Sequence, residues 1–512
     1  VFLKNKTHKG SVFMKKLLVV ILAVLVVVAV FAQKSGGRLV IAMETEPVGL
    51  DPHLVTAFAS HRVLENVYDS LLKYGEGMKL VPNLAEEAQA VDPYTIVFKI
   101  REDVKFHDGT PMTVEDVLFS FERILNPDTK SPAAAFYQDV ESIKAIGDNK
   151  IEFKLKKPMA STLLPNFAGV NSSIVSKKFV ESGKNLQLET NGTGPFYLAE
   201  YVPGNYMILK KNPYYFVKDQ PYLDEIKIVF MPEEVSRVAA LKNGDVDIAK
   251  INEPLNLKQF PEGKFKIHRS PVLSYYLIGI NTTRKPLNDP RVRNALNYAI
   301  NREAIIKTVV FSEGVVTGPL NPAVQPWALL PKSFDEYTYN PAKAKELLAQ
   351  AGYPNGFEFE IVTSQRYNFD KVAQVIQAQL AEVGVKVKID LVEWGIFIKR
   401  WRESDFDAFI SMNSGSIEPD IQFYRTFHTG GSTNVFLYSN PRVDELLDLG
   451  RSTVDITKRK EIYDELQRII VKESPVIFLY SANQIFVSSA SVENFKLLAN
   501  ESLVFLRETY KK

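Results

Sequence analysis

Between residues 357 and 412 the apolar positions alternate, then recur every three or four residues, then alternate again. Phe357, Phe359 and Ile361 are separated by Glu358 and Glu360, the period of a strand with one buried face. Val372, Val375, Ile376, Gln379, Leu380 and Val383 then share one helical face, and Gly384 supplies a C-terminal stop. Val385, Val387, Ile389 and Leu391 alternate with Lys386, Lys388 and Asp390; a helix around 394–403 and a strand over Phe406–Met412 follow. This βαβαβ order predicts an α/β fold with a mostly parallel sheet and right-handed crossovers.

Other elements are marked by their ends. Thr95–Ile100 alternates as a strand, Asp108-Gly109 makes a turn, and Thr113-Val114-Glu115-Asp116 has the spacing of a capping box. Val114, Val117, Leu118, Phe121, Ile124 and Leu125 then recur at helical spacing until Asn126-Pro127. Asp289-Pro290 and Asn340-Pro341 each put a capping side chain before a proline at the first helical position. The helix through Ile462, Leu466, Ile469 and Ile470 stops at Ser474-Pro475, and Pro475–Tyr480 reads as a buried strand.

Composition changes this picture mainly at the N-terminus. Lys15-Lys16, the apolar run Leu17–Ala32 with Val30 and Ala32 at −3 and −1, and then Gln33 describe a cleavable export signal. Met14 is the expected start, so residues 1–32 are expected to be an upstream extension plus signal. Those residues hold five lysines and no acid, and removing them takes the formal net charge from +2 to −3. That argues against a nucleic-acid partner. Without cysteine there is no disulfide, thiol nucleophile or lipid-attachment site. The expected product is periplasmic, free and not lipidated. The remaining 480 or so positions are enough for two or three domains, by the usual domain size of about 100–200 residues.

Candidate chemistry is sparse. His107-Asp108 could be a base and its orienting acid, but the pair sits at a turn and no nucleophile motif accompanies it. The six histidines show no metal-ligand spacing. Gly192-Thr193-Gly194-Pro195 lacks the lysine of a phosphate loop and suits a tight turn or a hinge. No catalytic, metal or cofactor residue is assigned.

Several segments, in order, resemble the dipeptide/oligopeptide (family 5) class of extracellular solute-binding proteins of ABC importers. They are Glu46–Pro52, Val67–Leu72, Val81–Ala85, Phe106–Pro111 with Asp116-Val117, Gly192–Phe196, Leu241–Asp247, Asp289–Arg293 and Ala299–Arg302. The resemblance implies a two-lobed periplasmic-binding-protein type II-like fold, with the ligand in the interlobe cleft and a corner, not a catalyst, at His107-Asp108. Lobe I would combine 33–272 with 483–512, with an extra subdomain over 69–190, and lobe II would be 273–482. It further implies a monomer that closes on a peptide, sugar or other small oligomeric solute and docks on permease subunits in the inner membrane. A secreted hydrolase is the alternative from another class, distinguished by turnover; a sensor or chaperone would use the same cleft without a permease.

Ligands of such sheets bind outside the carboxyl ends of strands. Those ends are Thr363–Tyr367 and Asn413–Ser416. By resemblance, Arg366 grips a ligand carboxylate, with Tyr367 beside it, although a proline usual between the two is missing. Met412, Asn413, Ser414 and Gly415 form the facing stretch, and Gly415 stands where peptide binders carry an aspartate for the peptide amine. Asp420, five residues on, is expected to point elsewhere. Ala133, in place of a tyrosine that covers peptide in some relatives, is expected to leave more room. From lobe I, Thr56 and Phe58 are expected to line the cleft. A neutral Asn/Ser/Gly pocket would suit a sugar, whereas Arg366 points to an acidic group; peptide stays slightly ahead on family frequency.

Overall fold

The computed structural model describes residues 36–512, so the expected export signal lies outside the described residues. One eight-stranded sheet is centred on Arg38–Met43, which pairs parallel with both Glu225–Phe230 and Ile248–Ile251. Both faces are covered, because alternate side chains enter different cores. Leu39, Ile41 and Ile228 lie in one, and Ala42, Ala249 and Val487 in the other. The strand Tyr480–Ser489 comes back from the far end of the chain to sit between Phe265–Pro271 and Ile248–Ile251.

A four-stranded antiparallel sheet forms a separate layer in the order Ala85–Asp92, Thr95–Ile100, Lys150–Leu155, Val140–Ile146. The helix Val114–Leu125 packs on it through Phe121, which meets Phe153 and Phe167 with ring centroids 5.0 and 5.3 Å away. The capping box forms: the Asp116 carboxylate accepts from the Thr113 N–H at 2.9 Å and from its hydroxyl at 3.0 Å.

The His107-Asp108 corner is fully used in holding structure. The His107 Nδ1 accepts from the Gly192 N–H at 3.2 Å, and Nε2 bonds the Gly194 carbonyl at 3.1 Å. Asp108 instead accepts from Thr110 and from Asn191. The two side chains therefore serve different partners. Gly192 is packed closely at this corner, since a Cβ on it would lie 2.1 Å from the Val67 carbonyl oxygen.

Burial pushes His107 down to about 4, and His53 and His268 likewise. The unfolded chain, with histidines near 6.5, therefore binds protons between pH 6.5 and about 4 that the folded chain refuses. Stability from these groups is complete above pH 6.5 and is lost as pH falls toward 4. Urea midpoints should decline through that window, and His107→Gln should make the decline shallower. An unchanged slope would contradict the assignment.

The second large sheet has the order Lys386–Leu391, Glu358–Thr363, Ala408–Asn413, Tyr275–Ile280, Val476–Phe478. The βαβαβ unit is parallel as expected, but the expectation of a mostly parallel sheet holds for only half the pairings. Tyr275–Ile280 runs against both of its neighbours. That strand enters from the other sheet rather than through a helical crossover, so no local pattern announces its direction. The helix Phe369–Ala381 covers one face and Trp394–Arg402 the other, as crossovers of one hand running in opposite directions require. The predicted strand Pro475–Tyr480 is split: Val476–Phe478 stays in this sheet, and Tyr480 begins the strand that joins the first.

The chain passes between the sheets at two adjoining places. Pro271 pairs with Asn483, the Val272 N–H donates to the Ala482 carbonyl at 3.0 Å, and Gly314–Val316 pairs with Tyr480–Ala482. The Asn321 amide ties both crossings, donating to the Val272 carbonyl at 2.7 Å and to the Ser481 hydroxyl at 3.0 Å.

Candidate functional site

In the second sheet the chain leaves Glu358–Thr363 toward one neighbour and later returns on its other side, at Ala408–Asn413. The loops after these two strands leave the same end of the sheet where the strand order reverses, the position at which sheets of this kind bind ligands. Arg366 and Tyr367 stand on the first loop. Tyr367 and Asn368 both adopt left-handed backbone, with φ of 53° and 60°. For non-glycine residues this costs about 1–3 kcal/mol each, and it persists only where the surroundings enforce it. Here the Tyr276 hydroxyl donates to the Tyr367 carbonyl at 3.0 Å, and Tyr276 is itself stacked on Tyr480 at 4.4 Å. Tyr276→Phe should therefore free the loop and weaken ligand binding by about 1 kcal/mol, the net worth of one hydrogen bond. Calorimetry would show it; unchanged affinity would mean that the loop is held otherwise.

Arg366 is exposed and lies over the Trp394 ring at 5.1 Å. Among the described residues it has no carboxylate partner, and Tyr367 beside it is 54% exposed. The second loop begins with Met412 and Asn413, which register with Tyr276 and Tyr275. The Asn413 amide donates to the Tyr275 hydroxyl at 3.2 Å, and Ser414 is exposed. The two tyrosines thus anchor both loops at one end of the sheet.

Gly415 has φ +67°, and a Cβ there would lie 2.1 Å from the Leu273 carbonyl oxygen. Glycine is thus required by the backbone whatever the ligand, which removes aspartate at 415 as a possible restoration of the peptide-amine partner. Asp420 does point elsewhere, its buried carboxylate pairing with half-buried Arg451 at 3.0 Å, and Glu418 pairs with buried Arg459.

On the other lobe, Thr56 and Phe58 are exposed where the loop enters the helix Phe58–Leu64. The Asn171 amide holds this loop through the carbonyls of Pro52 and Val55, at 2.8 and 2.7 Å. Phe58, 60% exposed, lines a cavity of about 280 Å³ together with Phe136, Tyr74, Lys73 and Asn500. Ala133 does not open this space: it is wholly buried in the core of the four-stranded layer, and Phe136, 52% exposed, is the side chain presented there. A short turn of 3₁₀ helix, Pro132–Phe136, turns one inward and the other outward. The cavity floor is charged. Arg507 pairs with Asp69 at 3.1 Å, burial pushes Glu65 up to about 7, and burial lowers Lys73 to about 8. Lys73 and Phe136 lie in segments whose local pattern signals only strand and turn.

The two groups of residues lie on either side of a crossing. Gly415 rests on the Leu273 carbonyl, and the Leu273 N–H donates to the Ala499 carbonyl at 2.9 Å, next to Asn500 and Glu501 of the Phe58 cavity. That cavity contains none of residues 366–367 or 412–415. Among the described residues no three His, Cys, Asp or Glu side chains form a metal cluster, and no helix is long and apolar enough to cross a membrane.

Residues 79–434 match the family model described as bacterial extracellular solute-binding proteins, family 5 middle. The chain is 30% identical to the oligopeptide-binding protein AppA of Bacillus subtilis, covering 94% of this chain and 96% of that one. It is also 30% identical to the glutathione-binding protein GsiB of Pectobacterium atrosepticum, over 94% and 95%. The structure of HbpA2 from Haemophilus parasuis superposes with a TM-score of 0.85 at 26% identity, over 93% of this chain and all of that one. With two sheets joined by paired crossings, a separate antiparallel layer and the expected motifs in order, the chain belongs to the family 5 extracellular solute-binding proteins.

Proposed function

We propose that this protein captures a short peptide outside the cytoplasmic membrane and delivers it to the permease subunits of an ABC importer. The observation that carries the reading is the Arg366–Tyr367 loop: an exposed guanidinium with no carboxylate partner among the described residues, followed by left-handed backbone at Tyr367, at the same carboxyl end of the sheet from which Met412–Ser414 emerges. A planar guanidinium can hold a carboxylate through two parallel hydrogen bonds. The peptide-binding names of the two curated relatives support the same class, since glutathione is itself a peptide.

In this reading residues 33–272 with 483–512 form one rigid body and 273–482 the other. The paired crossings at Pro271–Leu273 and Tyr480–Asn483 act as the hinge. Ligand contacts made on both sides favour the closed arrangement, which is the state offered to the permease. The exported chain is a free monomer cut near Gln33.

The deciding experiment is mass spectrometry of whatever the purified protein releases on mild denaturation, followed by small-angle scattering with that molecule restored. A peptide, and a smaller radius of gyration when it is bound, are expected. A released oligosaccharide would favour the second reading, which the neutral Asn413 and Ser414 side chains support. Catalytic conversion of the ligand would overturn both.

A further inference from the structure

A second, larger cavity of about 670 Å³ opens between the four-stranded layer and the second lobe. Its walls are Leu80, Ala90 and Leu164 on one side and Trp327, Ile417 and Ile456 on the other. Two features connect it to the candidate site. Tyr74 lines both this cavity and that of Phe58, and Ile417 follows directly on the Met412–Ser416 loop.

Its chemistry differs from that of the first cavity. The one carboxylate in its wall, Glu418, is bonded by both terminal nitrogens of Arg459, and one of these also donates to the Thr162 hydroxyl at 3.1 Å. Arg459 further lies against the Trp327 ring at 5.2 Å. This pair is satisfied internally, so it offers a ligand no free charge. The remaining wall is mostly hydrocarbon and indole, with Lys79 the sole other charged side chain lining it among the described residues. Cavities of roughly 300–1,000 Å³ accommodate drug-sized molecules, more than a single side chain needs.

We infer that this cavity is an apolar subsite for the far part of the solute: the ligand is an oligomer of several residues carrying an uncharged apolar side chain beside Trp327. The inference rests on the peptide reading above and deepens it. The charged cavity at Phe58 and the apolar one at Trp327 share Tyr74 as their divide, so the solute they fit is polar along one part and apolar along another. Apolar surface entering such a wall gains free energy in proportion to the area removed from water, whereas a cationic group would lose its hydration without a partner.

Two variants address the subsite without touching the core. Ile456 is 61% exposed at the first position of the helix Ile456–Glu473, where an aspartate is well tolerated. Ile456→Asp places an anion at the wall, and Ser161→Phe fills the space from the opposite side. The purified protein and both variants would be incubated with a positional-scanning pool of synthetic pentapeptides, and retained peptides counted by mass spectrometry. In the unmodified protein, one position should select Leu, Phe or Trp over Ser and Glu by at least tenfold. Ile456→Asp should shift that position toward Lys and Arg, and Ser161→Phe should abolish its selectivity. If pentapeptides bind and respond to Arg366→Ala but ignore both subsite variants, the solute does not use the cavity and the inference fails. If no peptide is retained by any form, the peptide reading itself fails. The cavity is then tested with 1-anilinonaphthalene-8-sulfonate, whose binding should fall at least fivefold in Ser161→Phe; equal binding would overturn the apolar subsite.

Discussion

Gly415→Asp is expected to destabilise the protein severely rather than to improve peptide binding. A side chain at φ +67° costs about 1–3 kcal/mol. A Cβ 2.1 Å from the Leu273 carbonyl oxygen adds a collision with backbone, which cannot swing aside as a side chain would. Overpacking of that kind typically costs about another 1–3 kcal/mol. The strain falls on Leu273, whose N–H is bonded to Ala499, so the crossing between lobes is pushed as well. Gly204→Asp is the matched control: its φ is +72°, but none of the described residues lies within 4 Å of the added Cβ. Urea denaturation should show Gly415→Asp losing clearly more stability than Gly204→Asp. Equal losses would mean that the Leu273 contact yields easily. In that event Gly415 could tolerate an aspartate after all.

Arg366→Ala should weaken binding of a peptide with a free C-terminus by about 2–5 kcal/mol, the usual loss when one partner leaves a desolvated charge pair. Stability should hardly change, because in the free protein the guanidinium is exposed and its one resolved contact is the Trp394 face, worth about 0.5–1 kcal/mol at such sites. Calorimetry with a peptide and its C-terminal amide tests the pairing directly. Amidation should cost the unmodified protein most of that energy and cost the variant little, since the partner is already gone. If the two losses simply add, Arg366 and the carboxylate act independently. A loss of about 1–2 kcal/mol, unaffected by amidation, would instead describe ordinary hydrogen bonds to a neutral ligand.

Local chemistry made much of this legible from the chain. Period-two and period-3.6 patterns are written in consecutive residues, so the βαβαβ unit, its helix ends and the capping box could be read directly. The loops carrying Arg366 and Met412–Ser416 followed from the strand ends alone. What could not be read is whatever depends on residues distant in sequence. The reversed strand Tyr275–Ile280, the wholly buried Ala133 beside exposed Phe136, and the cavity shared by Phe58, Lys73 and Asn500 all arise from contacts between remote segments.

Gly415 shows where the boundary lies. The sequence by itself determined that a glycine stands in the loop after a strand, at the place where relatives that bind peptides carry an acid. It could not tell whether that glycine reflects the ligand or the backbone, because φ and the distance to Leu273 exist only once two segments 142 positions apart are packed together. In the same way the chain alone identified Arg366 as a candidate. Only the tertiary structure decided that it has no carboxylate partner among the described residues, that Tyr276 holds its loop, and that an apolar cavity walled by Trp327 lies beyond Ile417. Side-chain periodicity is set by covalent geometry and solvent. Charge pairing, backbone strain and cavity shape are set by which distant segments the fold brings into contact.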